Sequence, residues 1–421
     1  MTTRVSPRPG PAATGAATGS GGRRAFARRA VAALSVNGLS SVGNLMVSVS
    51  VARGESLSGL GQFALAFSVY VLVIGLVRTA VTEAVLAART APGRRTIGRG
   101  ARRAAAVAVV SGVVTAATGM VLGSPYLTVV GLALPGLVVY DYVKAISIGV
   151  GGTRVAWTQE CAWLGCTALS VGAVLVAGAP TVMIFVGWAA SGAVLGVVVA
   201  LWQRYGVLPG WGLDRRETRV AASFAAQFLV TTGSAQLALS ALAATAGVAV
   251  VGALGAARTV FGPVTLLTTT LSSLIVPYLA QSRADTPRAR VRAAGAVVAL
   301  SVGVLLPLVL AVCLLPDEVG RAVLGDNWHA ARPLLPLLSV EAVLAPIALV
   351  AFAGHRVQSA GARALAIGVA LGPLRIATIV AGGVLFGAGG AAGALAALAL
   401  LSAACWWFSY LRLDATPVDP R

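Results

Sequence analysis

Charge is what this sequence has least of. Of its 421 residues only 11% are Asp, Glu, Lys or Arg, against 57% hydrophobic, and the mean hydropathy is +0.88. A water-soluble globular domain carries roughly a quarter charged residues, so that class is excluded. Acids are scarce at 13, and of the 32 basic residues all but Lys144 are arginine. The two histidines (His329, His355) and four cysteines (Cys161, Cys166, Cys313, Cys405) have no metal-ligand spacing between them. The cysteines fall in apolar segments and read as small buried hydrophobes; both histidines fall in expected connections. There is no acid–His pair, no cluster of acids and no nucleotide-binding motif. The expectation is therefore no metal, no cofactor and no enzyme, with energy drawn from ion or substrate gradients. Ten-residue alternating segments, the mark of an outer-membrane barrel, are absent too. No secretory leader is expected either, since residues 1–21 are a Pro/Gly/Ala/Thr stretch without an apolar core. Residues 1–29, ending in Arg23, Arg24, Arg28 and Arg29, are expected to form a disordered basic cytoplasmic tail.

What is present is apolar blocks of about 20 residues separated by Gly, Pro and Arg, the pattern of membrane-spanning helices. Twelve spans are expected, at 30–52, 60–88, 104–123, 127–150, 158–178, 181–202, 222–244, 251–281, 293–315, 332–353, 365–386 and 391–411. The net charge of +19 follows from topology and not from nucleic-acid binding. About 25 of the basic residues fall on one side of this arrangement, about 3 on the other, and Arg78, Lys144, Arg258 and Arg375 within spans. By the positive-inside rule both termini are then cytoplasmic, and the loop arginines meet anionic headgroups. The longest inner connection, 203–221, lies near the midpoint. It divides the chain into an N-lobe (30–202) and a C-lobe (222–411), with a C-terminal cytoplasmic tail at 412–421. The halves echo each other: Gly61–Tyr70 in the second span aligns with Gly252–Phe261 in the eighth, as expected of an internally repeated transporter. The one long outer loop, Pro316–Ala331, carries Asp317, Glu318 and Asp326.

Polar residues inside the spans fall into two sets. Asn37, Ser41, Asn44 and Ser48 form one helical stripe on the first span, and Gln227, Thr231 and Ser234, with Gln236 nearby, form another on the seventh. Such stripes either bond neighbouring helices or line a watery cavity. Their recurrence at the start of both halves favours the cavity. The second set is charged. Asp141 and Lys144 share a helix face and can neutralise each other, whereas Arg78, Arg258 and Arg375 lack a local counter-ion. Glu83 and Glu341 are their candidate partners, and Glu83, Asp141 and Glu341 are also candidates for ion coupling. The stretch Val251–Ala280 has Arg258 as its single charge and a Gly262–Pro263 break. A cation there costs about 2.5–3.5 kcal/mol on insertion scales. Arg258 lies toward the outer end, where it could snorkel; Arg375 sits mid-helix beside Gly372 and Pro373. Arginine suits phosphate because its planar fork gives paired, charge-assisted hydrogen bonds. Arg375, Arg258, Arg78 and Lys144 are thus candidate cations for an anionic substrate, with Asn37, Ser41, Asn44, Gln227, Thr231 and Gln236 as candidate cavity lining.

Three stretches carry a family resemblance. They are Ala52-Arg53 with Leu57, Gly59–Gly61 and Phe63–Ser68; Gly252, Ala256-Ala257, Pro263 and Pro277–Ala280; and Leu324-Gly325, Trp328, Ala331 and Pro333–Leu335. In this order, over residues 30 to 411, the chain resembles the polysaccharide and O-antigen lipid flippases of the multidrug/oligosaccharidyl-lipid/polysaccharide (MOP) exporter superfamily. The resemblance implies an all-α polytopic protein with two six-helix lobes in a V, in a bacterial cytoplasmic (plasma) membrane. It implies alternating access that flips an undecaprenyl-diphosphate-linked oligosaccharide, its headgroup held in a cationic cavity faced by the first helix of each lobe. Implied partners are that lipid-linked sugar, membrane lipids, and a polysaccharide polymerase and glycosyltransferases; nucleic acid is not one. The short C-terminus and few acids depart from the pattern, and the two extra helices of the peptidoglycan-lipid branch are missing. Alternatives are a multidrug exporter of the same superfamily, coupled to H⁺ or Na⁺, and a non-transporting member of a polysaccharide assembly complex.

Overall fold

A chain with this little charge must satisfy its backbone internally wherever it meets lipid, which leaves helices as the economical solution. The computed structural model describes residues 20–86, 93–212, 215–281, 286–358 and 360–413, and among them there is no β-strand. The first six long helices are α1 (Ser20–Gly54), α2 (Leu57–Leu86), α3 (Arg94–Val121), α4 (Pro125–Gly149), α5 (Thr153–Ala177) and α6 (Val182–Trp202). α7 runs from Arg215 to Ala246 and contains a π segment at Leu229–Gly233. α8 (Val248–Val260) and α9 (Gly262–Gln281) are the two arms of one span, bent by 68°. α10 (Pro287–Cys313), a short α11 (Asp317–Leu324), α12 (Leu335–Val357) and α13 (Gly361–Leu411) complete the chain.

Among the described residues ten helices are long and apolar enough to cross a membrane, and the bent pair makes an eleventh. At 1.5 Å per residue, α13 would be more than twice as long as a bilayer is thick. It is broken where Phe386 (φ −132°) and Gly387 (φ +61°) leave helical geometry. Its arms fold back on each other: a Cβ on Gly382 would lie 2.5 Å from the Gly390 carbonyl. Counted as two crossings, they bring the total to the expected twelve.

The largest departures from expectation are at helix starts on the arginine-rich face. α1 begins at Ser20, α3 at Arg94, α7 at Arg215 and α10 at Pro287, earlier than expected. Arginine is a good helix former, so the helices run on beyond the apolar stretch that marks them in sequence. Residues 20–29, expected to be disordered, are therefore helical, and the 203–221 linker shortens. Residues 1–19 and 414–421 lie outside the described residues. Two polar groups assigned to connections are instead buried. His355 lies within α12, between the Ala351 carbonyl and Ser409 Oγ. Arg290 lies within α10, donating to the Leu413 carbonyl beneath Tyr410.

The halves meet where the sequence echo aligned them. Gly61 of α2 and Gly252 of α8 cross in direct backbone contact: a Cβ on Gly61 would lie 1.8 Å from the Val248 carbonyl, and one on Gly252 2.0 Å from the Leu57 carbonyl. The long connection at 316–331, expected to be outer, caps the same end. Asn327 Nδ2 donates to the Ala52 carbonyl (2.8 Å) and the Glu55 carbonyl (2.9 Å), satisfying groups at the end of α1. Further along the seam, Ser68 Oγ of α2 donates to Gln236 Oε1 of α7 (2.9 Å). The first half is stiffened by aromatic packing of Phe63 and Phe67 (α2), Tyr126 (α4), Trp163 (α5) and Phe185 and Trp188 (α6), at ring separations of 5.2 to 5.9 Å.

Candidate functional site

The first-half charges form a chain between helices. The Arg78 guanidinium clasps Asp141 with both arms, Nε to Oδ2 at 3.1 Å. Lys144 Nζ donates to Glu160 Oε1 at 2.8 Å and stands 3.9 Å from Asp141 Oδ1. Ser40 Oγ of α1 completes the chain, donating to Glu160 (3.1 Å) and accepting from Lys144 (3.2 Å). The expected pairing is thus corrected twice. Asp141, and not Glu83, takes Arg78; Glu160, and not Asp141, is the closer partner of Lys144. Helix geometry explains this: Asp141 and Lys144 share a face of α4, but each reaches a better-aimed partner on a neighbouring helix. Two cations and two carboxylates leave this cluster formally neutral. Glu160 is 1% exposed and lies at a small cleft with Asn44, Thr167, Trp163 and Trp188. Sequence reasoning passed over it. The signal available was an acid about two turns into an apolar helix, a position that calls for a partner.

Lys144 and Glu160 make a testable pair. Removing one member of a buried ion pair strands the other and costs about 3–5 kcal/mol. Lys144→Met is therefore expected to lower thermal stability in detergent markedly, and Lys144→Met with Glu160→Gln to recover most of the loss. Equal stability of the single variant and wild type would show that the pair carries no weight.

The second-half charges are differently balanced. Arg258 sits about 15 Å along α8 from Val248 at 1.5 Å per residue, and its Nη2 is 3.4 Å from Glu341 Oε1 of α12. It is ion-paired within the span, so the snorkelling reading is corrected. Arg375, on the first arm of α13, has no carboxylate in contact among the described residues. Its Nη1 donates to the Thr231 carbonyl (2.9 Å) and to Ser234 Oγ (3.2 Å) of α7. It lies within electrostatic reach of both Glu341 and Arg258. Two arginines stand here with one carboxylate, which Arg258 takes, so this cluster is formally positive by one.

Two of the three arginines within spans that reach a neighbouring helix, Arg78 and Arg375, involve a π segment. Arg78 opens one, Arg78–Glu83 in α2, and Thr231 belongs to the other, Leu229–Gly233 in α7. π turns are rare and cluster at functional sites. Gly368 and Gly372 bring α13 against the second of them: a Cβ on Gly372 would lie 2.6 Å from the Val230 carbonyl. The next residue on that face is Arg375, which reaches the backbone directly.

The polar stripes are partly absorbed by their own helices. Ser41 Oγ donates to the Asn37 carbonyl and Thr231 Oγ1 to the Gln227 carbonyl. Ser234 is buried and donates to the Thr231 carbonyl, and Gln236 accepts from Ser68. Asn37 is exposed, and Asn44 and Gln227 are half-buried. Among the described residues no group of His, Cys, Asp and Glu could hold a metal ion.

Residues 163–333 match the family model described as polysaccharide biosynthesis protein. No curated protein matches the chain. Among solved structures it is similar to an inward-facing multidrug-resistance MATE family transporter of the MOP superfamily. That match has a TM-score of 0.68 at 14% identity, covering 88% of this chain and 94% of the other. An outward-facing MATE transporter gives 0.60 at 16% identity, over 92% and 94%. A MOP superfamily transporter from Pyrococcus furiosus, described as having a binding pocket of reverse polarity, gives 0.58 at 15% identity, over 92% and 94%. The chain is a multi-pass membrane protein whose fold is that of the solved MOP superfamily transporters, and its residues 163–333 are similar to the polysaccharide biosynthesis protein family.

Proposed function

We propose that the protein flips a polyprenyl-diphosphate-linked oligosaccharide across the cytoplasmic membrane by alternating access, for export of a cell-surface polysaccharide. The observation that carries this reading is the second-half cluster. Arg258 is paired with Glu341 while Arg375 rests on a carbonyl and a hydroxyl, so a positive charge is left for cargo. A diphosphate fits the planar donors of Arg375 better than any cation would. Arg78, 43% exposed on its side chain despite its clasp on Asp141, is a second contact for the headgroup. Lys144, buried and paired, serves instead to hold the first half together. The arginine-rich face is taken as cytoplasmic. The closed crossing at Gly61 and Gly252 then seals the outer side, in keeping with the greater likeness to the inward-facing relative. Polymerase and glycosyltransferases of the same assembly line are the expected partners.

The competing reading is a multidrug exporter, which the fold of the solved relatives favours. The test is reconstitution into liposomes with two cargoes, a fluorescent polyprenyl-diphosphate oligosaccharide and an organic cation such as ethidium. Protein-dependent transfer of the first, and not the second, is expected. Transfer of ethidium alone would establish the exporter, and transfer of neither would leave an assembly partner as the better account.

A further inference from the structure

The connection between α6 and α7 is a folded element with its own surface. Residues 203–212 lie back on the arginine-rich end of α3. Gly210 N donates to the Arg102 carbonyl (3.0 Å), and Arg103 Nε donates to the Gly212 carbonyl (3.0 Å). Gly206 and Gly210 make room for the Arg102 side chain, and Tyr205 and Val207 pack on the core formed by α3 and α4. With its inner side so fixed, the connection turns large apolar groups outward: Trp202 is 72% exposed, Leu208 74% and Trp211 57%. The same end of α3, within about three turns of the contacts made by Arg102 and Arg103, carries Arg94, Arg95 and Arg99, all exposed, and the connection itself carries exposed Arg204. No acid occurs from Arg94 to Val121 or from Val182 to Gly212.

Arg204 adds an independent sign. It is the one non-glycine residue with positive φ (57°) among the described residues, at a helix end where glycine is the easy choice. The backbone there tolerates an arginine that it would be easier to replace.

Tryptophan at a polar–apolar boundary and clustered arginine beside it fit one partner, the headgroup region of an anionic leaflet. We infer that residues 202–212, with Arg94, Arg95, Arg99 and Arg204, form a foot that binds anionic phospholipid on the arginine-rich face. Trp202, Leu208 and Trp211 enter the acyl boundary, and the four guanidiniums hold lipid phosphates. Because the element is pinned to α3, it anchors the first half to the leaflet while the second half stays free to move. The inference does not depend on what the protein transports.

The test uses the full chain in nanodiscs containing a fixed fraction of brominated phosphatidylglycerol or brominated phosphatidylcholine. Subtracting the fluorescence of a Trp202→Phe/Trp211→Phe variant isolates the two tryptophans. Stronger quenching by the anionic lipid is expected, corresponding to about fivefold local enrichment. Arg94→Gln/Arg95→Gln/Arg99→Gln should erase that preference, as should raising the salt to about 1 M, where the Debye length is roughly 3 Å. Arg204→Gly relieves the backbone and is expected to fold at least as well as wild type while the preference falls. Equal quenching by both lipids would overturn the inference, as would a preference unchanged in Arg204→Gly and at high salt.

Discussion

Replacing Arg375 with alanine is expected to slow transfer of the diphosphate-linked lipid by about ten- to a hundredfold while the protein remains folded. A hydrogen bond to a charged group contributes about 1.5–3 kcal/mol, and each 1.4 kcal/mol is a factor of ten in rate. Arg375 is chosen because its guanidinium rests on a carbonyl and a hydroxyl, not on a carboxylate. A phosphate oxygen is the better acceptor and can displace both. Arg375→Lys should fall between, since it keeps the charge and loses the fork. Arg258→Ala has a sharper signature. It leaves Glu341 to neutralise Arg375, so transfer should fall about tenfold. The double variant Arg258→Ala/Glu341→Gln restores the net positive charge and should recover most of the rate. If Arg375→Ala and Arg258→Ala both move the lipid at the wild-type rate in liposomes, the cationic cluster is not the headgroup site.

The second large effect is steric. Gly61→Leu places a branched side chain where even a Cβ would overlap the Val248 carbonyl. Overpacking commonly costs about 1–3 kcal/mol when side chains can shift. Here the obstacle is backbone on a packed helix, so the upper end applies and α2 and α8 must part. A cross-link between the same two helices reports this directly. A cysteine at Gly255, whose Cβ would lie 3.2 Å from the Ala64 Cβ, can be paired with one at Ala64 in a background lacking the native cysteines. Disulfide formation between them should fall by about tenfold or more in Gly61→Leu, following the cost of closing that face. Unchanged cross-linking would mean that the glycine crossing does not hold the halves together.

Much of this architecture was readable from composition. An apolar run of some twenty residues has one physical solution in lipid, so the number and order of spans follow from hydropathy alone. The break at Gly262–Pro263 was visible because proline removes a backbone donor, and the structure turns it into a 68° bend. Glu341 stood among the candidate partners of the span arginines because it is the one acid within the second-half spans, and the structure gives it to Arg258. In the first half the same logic failed. Glu83, Asp141 and Glu160 all stand within helices there, and the choice among them is made by helix packing. Arg78 meets Asp141 across 63 positions of sequence, and Lys144 meets Glu160 across 16. No local pattern encodes that. The π segments were equally hidden: neither Arg78–Glu83 nor Leu229–Gly233 has a composition that sets it apart from ordinary helix.

Those two segments bear on how this chain is compared with others. A π turn holds one residue more than an α turn, so it is equivalent to a single-residue insertion inside a helix. Each inserted residue rotates everything before it by about 100° relative to everything after it. Aligned without gaps against an uninterrupted helix, α2 and α7 will each match correctly on one side of the segment and slip by a position on the other. Arg78 and Thr231 sit at or within these points of slippage. A comparison with a relative that lacks the extra residue needs a one-residue gap at each of these segments before Arg78 and Thr231 are paired with anything.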